Sequence, residues 1–335
     1  MSTPDGSRPL SPDDALPPVE PPTAGFIIRL FVVPALIVTS LFGGWLLLQS
    51  LVQRGADPMA YVQALRRDNE ARWQAAVSLA DALRDVRDPR NAELRQNTAI
   101  ARELADILNQ QMTEGRTDDK AVKLRVYLCN ALGEFQSPDV LPALLKAAKQ
   151  EKTEAEHAVR FSALKALAVQ VDSNKAFDKS QHRDVLDALI EASRDDDPLL
   201  RSTAAFGLGA WGGDDALKRV EQMLADSVPD VRYNAATMLA RQGRTSAVPV
   251  LAEMLDPAAL KGLDTEKAES REAKRLTIII SAMAAVGKLG EANPTADLRP
   301  LEEALAKLLA TKLPEKVRLE ATAVQRQLER RHVEK

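Results

Sequence analysis

Two stretches of this chain align without a gap. The first is Asp195-x-x-Pro198-x-Leu200-Arg201-x-x-Ala204-Ala205-x-x-Leu208-x-x-x-Gly212. The second is Asp226-x-x-Pro229-x-Val231-Arg232-x-x-Ala235-Ala236-x-x-Leu239-x-x-x-Gly243, and every matched position lies 31 residues from its counterpart. The register continues, with Ala216, Leu217, Val220, Met223 and Leu224 mapping onto Ala247, Val248, Leu251, Met254 and Leu255 at the same offset. No other feature restricts the fold as strongly. A unit of about thirty residues cannot bury its own apolar faces, so copies must stack on one another.

The unit can be read physically. Asp and Pro begin a helix, because Asp accepts from free N–H groups and Pro suits the first turn. The alanine pair allows close approach of neighbouring helices, and Leu208 and Leu239 lie a helical step further on the same face. Gly212 and Gly243 end the helix in a left-handed conformation. A second amphipathic helix follows. Weaker copies occur at Asp119, Leu124, Arg125, Leu128, Leu132 and Gly133, and at Val159, Arg160, Ala163 and Leu167 with Glu154 in the acidic place. Further copies occur at Pro314, Val317, Arg318 and Ala321, and at Arg72, Ala75, Ala76 and Leu79. An extra helix is expected near Asn91–Met112. A helix near Ser270–Leu289 departs most, placing Ile or Ala where the other copies have Arg.

These residues resemble HEAT repeats, specifically the short bacterial kind also found in phycobilisome lyases. The resemblance covers residues 58–333 and implies an all-α fold, a HEAT/armadillo-like α-solenoid superhelix of six to seven helix pairs, right-handed, with the second helices lining the concave face. It bears on the repeat arginines Arg72, Arg125, Arg160, Arg201, Arg232 and Arg318. One reading makes them a basic ladder for phosphate or acidic peptides. The other, which the resemblance implies, makes each a structural partner for an inter-repeat acidic residue (Asp119, Asp195 and Asp226) and for nearby helix carbonyls. A planar guanidinium can satisfy several acceptors at once.

The N-terminal third is different. Residues 1–24 hold seven prolines and no apolar period, and residues 1–25 carry a net charge of -3. Such a segment is expected to be a disordered, acidic tail. Nineteen residues from Leu30 to Leu48 then carry no charge. At ~1.5 Å per residue this matches a hydrocarbon core of ~30 Å, so residues 25–52 are expected to form one transmembrane helix. Arg29 would snorkel at one end and Trp45 would mark the opposite interface. A cleaved signal peptide fits poorly, since the start is acidic and no small-residue cleavage site follows. The expectation is therefore a single-pass protein of a bacterial inner membrane. Arg54, Arg66 and Arg67 favour a cytoplasmic C-terminal domain.

Composition excludes several functions. Net charge is -3 and aromatic residues are 4% of the chain, so an aromatic and basic nucleic-acid platform is not expected. His157, His182 and His332 do not pair at helical spacing, and no Cys-x-x-Cys, Gly-rich phosphate loop or Gly-x-Ser-x-Gly elbow occurs. Cys129, the only cysteine, reads as a buried small hydrophobe. The run Asp195-Asp196-Asp197 reads as a solvated loop rather than a metal site. No catalytic residue, metal, cofactor or small-molecule substrate is expected. The reading is a membrane-anchored scaffold or adaptor that binds a protein partner through its concave surface. A lyase-like enzyme or accessory subunit, and a structural spacer of an envelope complex, stand as alternatives.

Overall fold

Helices start and stop in this chain where short polar side chains and glycines dictate. The computed structural model describes residues 25, 28–53, 58–67, 71–85, 87–150, 153–258 and 267–333. Asn97, Asp118, Thr153 and Asp197 are N-caps, each accepting a bond from the N–H two or three residues on. Pro198 and Pro229 occupy the first turn, where a missing N–H costs nothing. Gly115, Gly212, Gly213 and Gly243 have φ of 62, 69, 73 and 71° at helix ends, a region that residues with a Cβ enter only with strain.

The chain divides into two compact units, Met1–Ala56 and Asp57–Lys335. The described part of the first is a π turn at Ile28–Val32 followed by helix α1, Val33–Gln53. Here one expectation is overturned. Among the described residues no helix is long and apolar enough to cross a membrane. The apolar run opens within the π turn, so its regular α-helix begins only at Val33. The transmembrane helix over 25–52, the membrane as partner, the single-pass placement in a bacterial inner membrane and the cytoplasmic orientation of the C-terminal domain all fall with it. The expected disorder of 1–24 lies outside the described residues.

Among its described residues the second unit is a stack of seven helix pairs. First helices are α2 (Pro58–Arg66), α5 (Thr98–Glu114), α7 (Leu141–Ala148), α9 (Arg183–Ala192), α11 (Gly213–Met223), α13 (Val248–Leu255) and α15 (Arg299–Leu309). Second helices are α3 (Ala71–Arg84), α6 (Asp119–Glu134), α8 (Glu154–Ser173), α10 (Pro198–Trp211), α12 (Pro229–Arg241), α14 (Ala268–Ala292) and α16 (Glu315–Val333). The extra helix is α4, Pro89–Gln96. It is shorter than the stretch expected near Asn91–Met112, most of which instead forms the first helix of the second pair. Second helices pack in an unbroken row from α3 to α16, each against its neighbours in the row. First helices form the other layer, from α2 through α5, α7 and α9 to α11, and from α13 to α15.

A continuous apolar core runs between the layers. It includes the alanine pairs Ala204–Ala205 and Ala235–Ala236, with Leu208 and Leu239, all fully buried. Small residues set the spacing within the row. A Cβ built on Gly209 in α10 would stand 2.3 Å from Met238 Cβ in α12, and one on Gly133 in α6 would stand 2.9 Å from Ala166 Cβ in α8. Neighbouring second helices therefore touch nearly backbone to backbone at these points. Gly209→Ala is expected to lower stability by about 1–3 kcal/mol through overpacking, read as a shift in the urea midpoint. An unchanged midpoint would show that α10 and α12 separate without cost.

Candidate interaction surface

The repeat arginines emerge in the loops that join the two helices of each pair. Asp226 accepts two parallel bonds from Arg201, Nε to Oδ2 at 2.8 Å and Nη2 to Oδ1 at 2.9 Å. The same aspartate accepts from Val228 N at 2.9 Å, fixing the turn into α12. Arg232 then donates to the carbonyl of Asp226 at 3.0 Å. One repeat earlier the arrangement recurs. Arg160 Nη2 lies 2.7 Å from Asp195 Oδ2, and Arg201 Nη1 donates to the Asp195 and Asp196 carbonyls, both at 2.9 Å. Each loop is thus held from both sides. The preceding arginine takes its carboxylate and the following arginine takes its main chain.

Arg125, 1% exposed, donates to the carbonyls of Gln111 and Arg116 and to Glu156 Oε1 at 2.6 Å. Arg232 reaches Glu253 Oε1 at 2.8 Å, an acid supplied by first helix α13 rather than by a loop. Tyr233 donates to the same oxygen at 3.0 Å, and burial, then the Glu253 carboxylate, raise its pKa. Arg72 donates to the Leu65 carbonyl, and Arg318 to those of Leu309 and Thr311. Asp119 lies elsewhere, on the surface beside Lys123 at 2.7 Å, while neighbouring Asp118 caps the helix. Glu156, not Glu154, meets Arg125. The three consecutive aspartates point apart: Asp195 bonds Arg160 and Asp197 bonds His157. Cys129 is fully buried, and its thiol is pushed up to about 12 by that burial.

A second set of contacts has no counterpart among the sequence expectations. At the opposite end of the second helices, an amide or guanidinium from the next repeat caps the free carbonyls. Gln170 Nε2 donates to Gly133 at 2.9 Å and to Phe135 at 2.6 Å. Gln242 Nε2 donates to Gly209 at 2.8 Å, Asn293 Nδ2 to Gly243 at 3.0 Å, and Arg331 Nη2 to Asn293 and Pro294, both at 2.8 Å. The signal was present, since Gln170 and Gln242 each stand ten residues after a repeat arginine.

With the ladder side chains turned into the stack, one face of α8, α10, α12 and α14 is left half-buried or exposed. Its residues recur at helical spacing: Ala158, Phe161, Lys165 and Val169 on α8; Leu199, Thr203, Phe206 and Ala210 on α10; Asp230, Asn234, Thr237 and Arg241 on α12. On α14 they are Thr277, Ser281, Ala284 and Lys288. The middle of this surface is apolar, and Leu199 is 45% exposed. Between α12 and α14 it opens into a groove of about 580 Å³ floored by Met254. The groove coincides with the departure in sequence. Aligning Leu289 with Leu239 places buried Ala282 at the ladder position of Arg232. Helix α14 also runs for 25 residues against 13 in α12, and extends N-terminally past it.

A family model described as HEAT repeats matches residues 186–261. No curated protein matches the chain. Among solved structures, the complex of CpcE and CpcF of phycocyanin lyase from Nostoc sp. PCC7120 is 17% identical over 82% of this chain and 95% of that one, with a TM-score of 0.45. An engineered protein is 19% identical over 82% and 99%, at 0.41. A designed armadillo repeat protein is 17% identical over 75% and 98%, at 0.32. Among its described residues the chain is an all-α helical repeat protein, and residues 186–261 match HEAT repeats.

Two consequences of the arginine ladder are measurable. Arg125→Ala strands the buried Glu156 carboxylate and is expected to cost about 3–5 kcal/mol. Lys123→Ala breaks only an exposed pair and is expected to cost less than about 0.5 kcal/mol; equal urea midpoints for the two variants would contradict this. The Arg201 bonds hold the Asp226 carboxyl below its usual value. A depressed carboxylate stabilises the fold above the unfolded value of about 3.9, and the contribution vanishes as pH falls through the folded value. The stability gap between the parent and Asp226→Asn should therefore be full at pH 7 and close on acidification below pH 4. A gap independent of pH would mean that the Asp226 charge does not contribute.

Proposed function

We propose that this chain is a scaffold that binds a protein partner along the exposed face of its second helices, within a repeat array spanning residues 58–333. The observation that carries this reading is the stripe at helical spacing, i, i+3 or i+4, i+7 and i+11, on successive second helices, with apolar side chains at its centre. Phe161, Val169 and Phe206, half-buried, and Leu199, exposed, lie on this face of α8 and α10. An extended surface of this kind suits recognition of another chain, because stacking lays equivalent positions in parallel rows. Aromatic and aliphatic anchors contribute most of the affinity when a partner excludes water from them.

In this reading Arg125, Arg160, Arg201 and Arg232 hold the stack and do not meet the partner. Their guanidinium groups are already occupied by carboxylates of the neighbouring repeat. Arg72 and Arg318, at the two ends of the array, serve the same purpose through helix-end carbonyls. Asp195 and Asp226 act as the loop members of the ladder.

The test is affinity capture of the full chain with chemical cross-linking. The double variant Phe161→Glu and Phe206→Glu is expected to lose a stoichiometric partner while keeping its helical circular dichroism. Glu191→Lys, on first helix α9, is expected to retain it. A partner that stays bound to the phenylalanine variant with undiminished yield would refute the assignment of this face.

A further inference from the structure

We infer that the groove between α12 and α14 seats a short, extended peptide segment bearing acidic side chains; this rests on the scaffold reading and names the chemistry of the partner at one place on the face. Charge points to it. Lys274, Arg241 and Lys288 line the groove against a single carboxylate, Asp230. Lys274 and Asp230 pair at 3.4 Å at one end. At the other end Arg241 and Lys288 hold carboxylates that lie outside the groove, Asp172 at 2.9 Å and Glu291 at 2.7 Å. The two cations are 45% and 62% exposed, so these pairs are weak and exchange readily for an arriving acid.

Dimensions and hydrogen bonding favour an extended main chain. From Lys274 to Lys288 the helix rises roughly 21 Å at ~1.5 Å per residue. A strand advancing ~3.3 Å per residue covers that length with about six residues. The walls between the charged ends are small or hydroxylic. Asn234 Nδ2 donates to Ser202 Oγ at 2.5 Å, which leaves its carbonyl oxygen to accept a peptide N–H. Thr277 donates to the Ala273 carbonyl, and its oxygen keeps a lone pair for the same purpose. Met238 and Ile278 supply apolar contact. A nucleic-acid strand would need a ring to stack upon. The ring bordering the groove, Tyr233, is 5% exposed and its hydroxyl is engaged by Glu253.

The experiment is selection of a random dodecapeptide library on the immobilised full chain, followed by titration of the enriched peptides. Enriched sequences are expected to be acidic with interspersed apolar residues, and their binding to weaken with salt. Arg241→Glu with Lys288→Glu should reduce affinity at least tenfold. Ala284→Trp, which fills the groove without changing charge, should do the same. Both variants are checked by circular dichroism, and if the tryptophan variant does not fold the charge reversal decides. Neutral or basic consensus sequences, no enrichment, equal binding to the charge-reversed chain, or displacement by a single-stranded oligonucleotide would each overturn the proposal. Failure here, with the protein partner still lost from the phenylalanine variant, would leave the scaffold reading intact. A partner retained by that variant would instead bring down the scaffold reading itself.

Discussion

The structure of the repeat array depends on one polar contact, the loop between paired helices that is gripped by two arginines of consecutive repeats. Apolar stacking alone would hold the helices together without fixing how far one pair slides on the next. The bidentate Arg201–Asp226 pair removes that freedom, because two parallel bonds tolerate little rotation or shift. The following arginine locks the main chain of the same loop. Since Arg125, Arg160 and Arg201 are buried or nearly so, each carboxylate must stay in place or leave a charge unpaired in a low-dielectric interior.

The same contact explains where the surface changes character. Along α6, α8, α10 and α12 the ladder proceeds from arginine to arginine and second helices pack tightly. At α14 the ladder position is Ala282, and the acid that would have served a loop comes from Glu253 on a first helix. Released from the loop geometry of its neighbours, α14 is longer and overhangs α12. The groove lies along this altered junction, so the break in the repeat and the opening in the surface have one structural origin.

Much of the fold was legible because it rests on local chemistry. Asp, Pro and Gly at fixed offsets mark helix ends, and the 31-residue register marks the stack; both depend on few residues and survive wherever the pattern is strict. The site was legible less evenly. Asp195 and Asp226 sit at equivalent positions and meet arginines of the preceding repeat, but a spacing argument cannot distinguish Asp118 from Asp119 or Glu154 from Glu156. A shift of one or two positions turns a helical side chain by one to two hundred degrees. The apolar run after Gly25 shows the other limit, since hydropathy reads a length of sequence and not the helix it becomes. The carbonyl caps made by Gln170 and Gln242 are visible in the sequence only once it is known which helix ends lie beside them.

The polarity of the ladder has a mechanical consequence. The guanidinium groups of Arg125, Arg160, Arg201 and Arg232 reach forward for their acids, so consecutive pairs are joined by charged links as far as α13. Beyond that point, α14 and α16 are joined to the rest by side-chain packing, by the Lys274–Asp230 pair and by the amide and guanidinium caps of Asn293 and Arg331. The link between α12 and α14 thus lacks the buried arginine–carboxylate grip of the junctions before it.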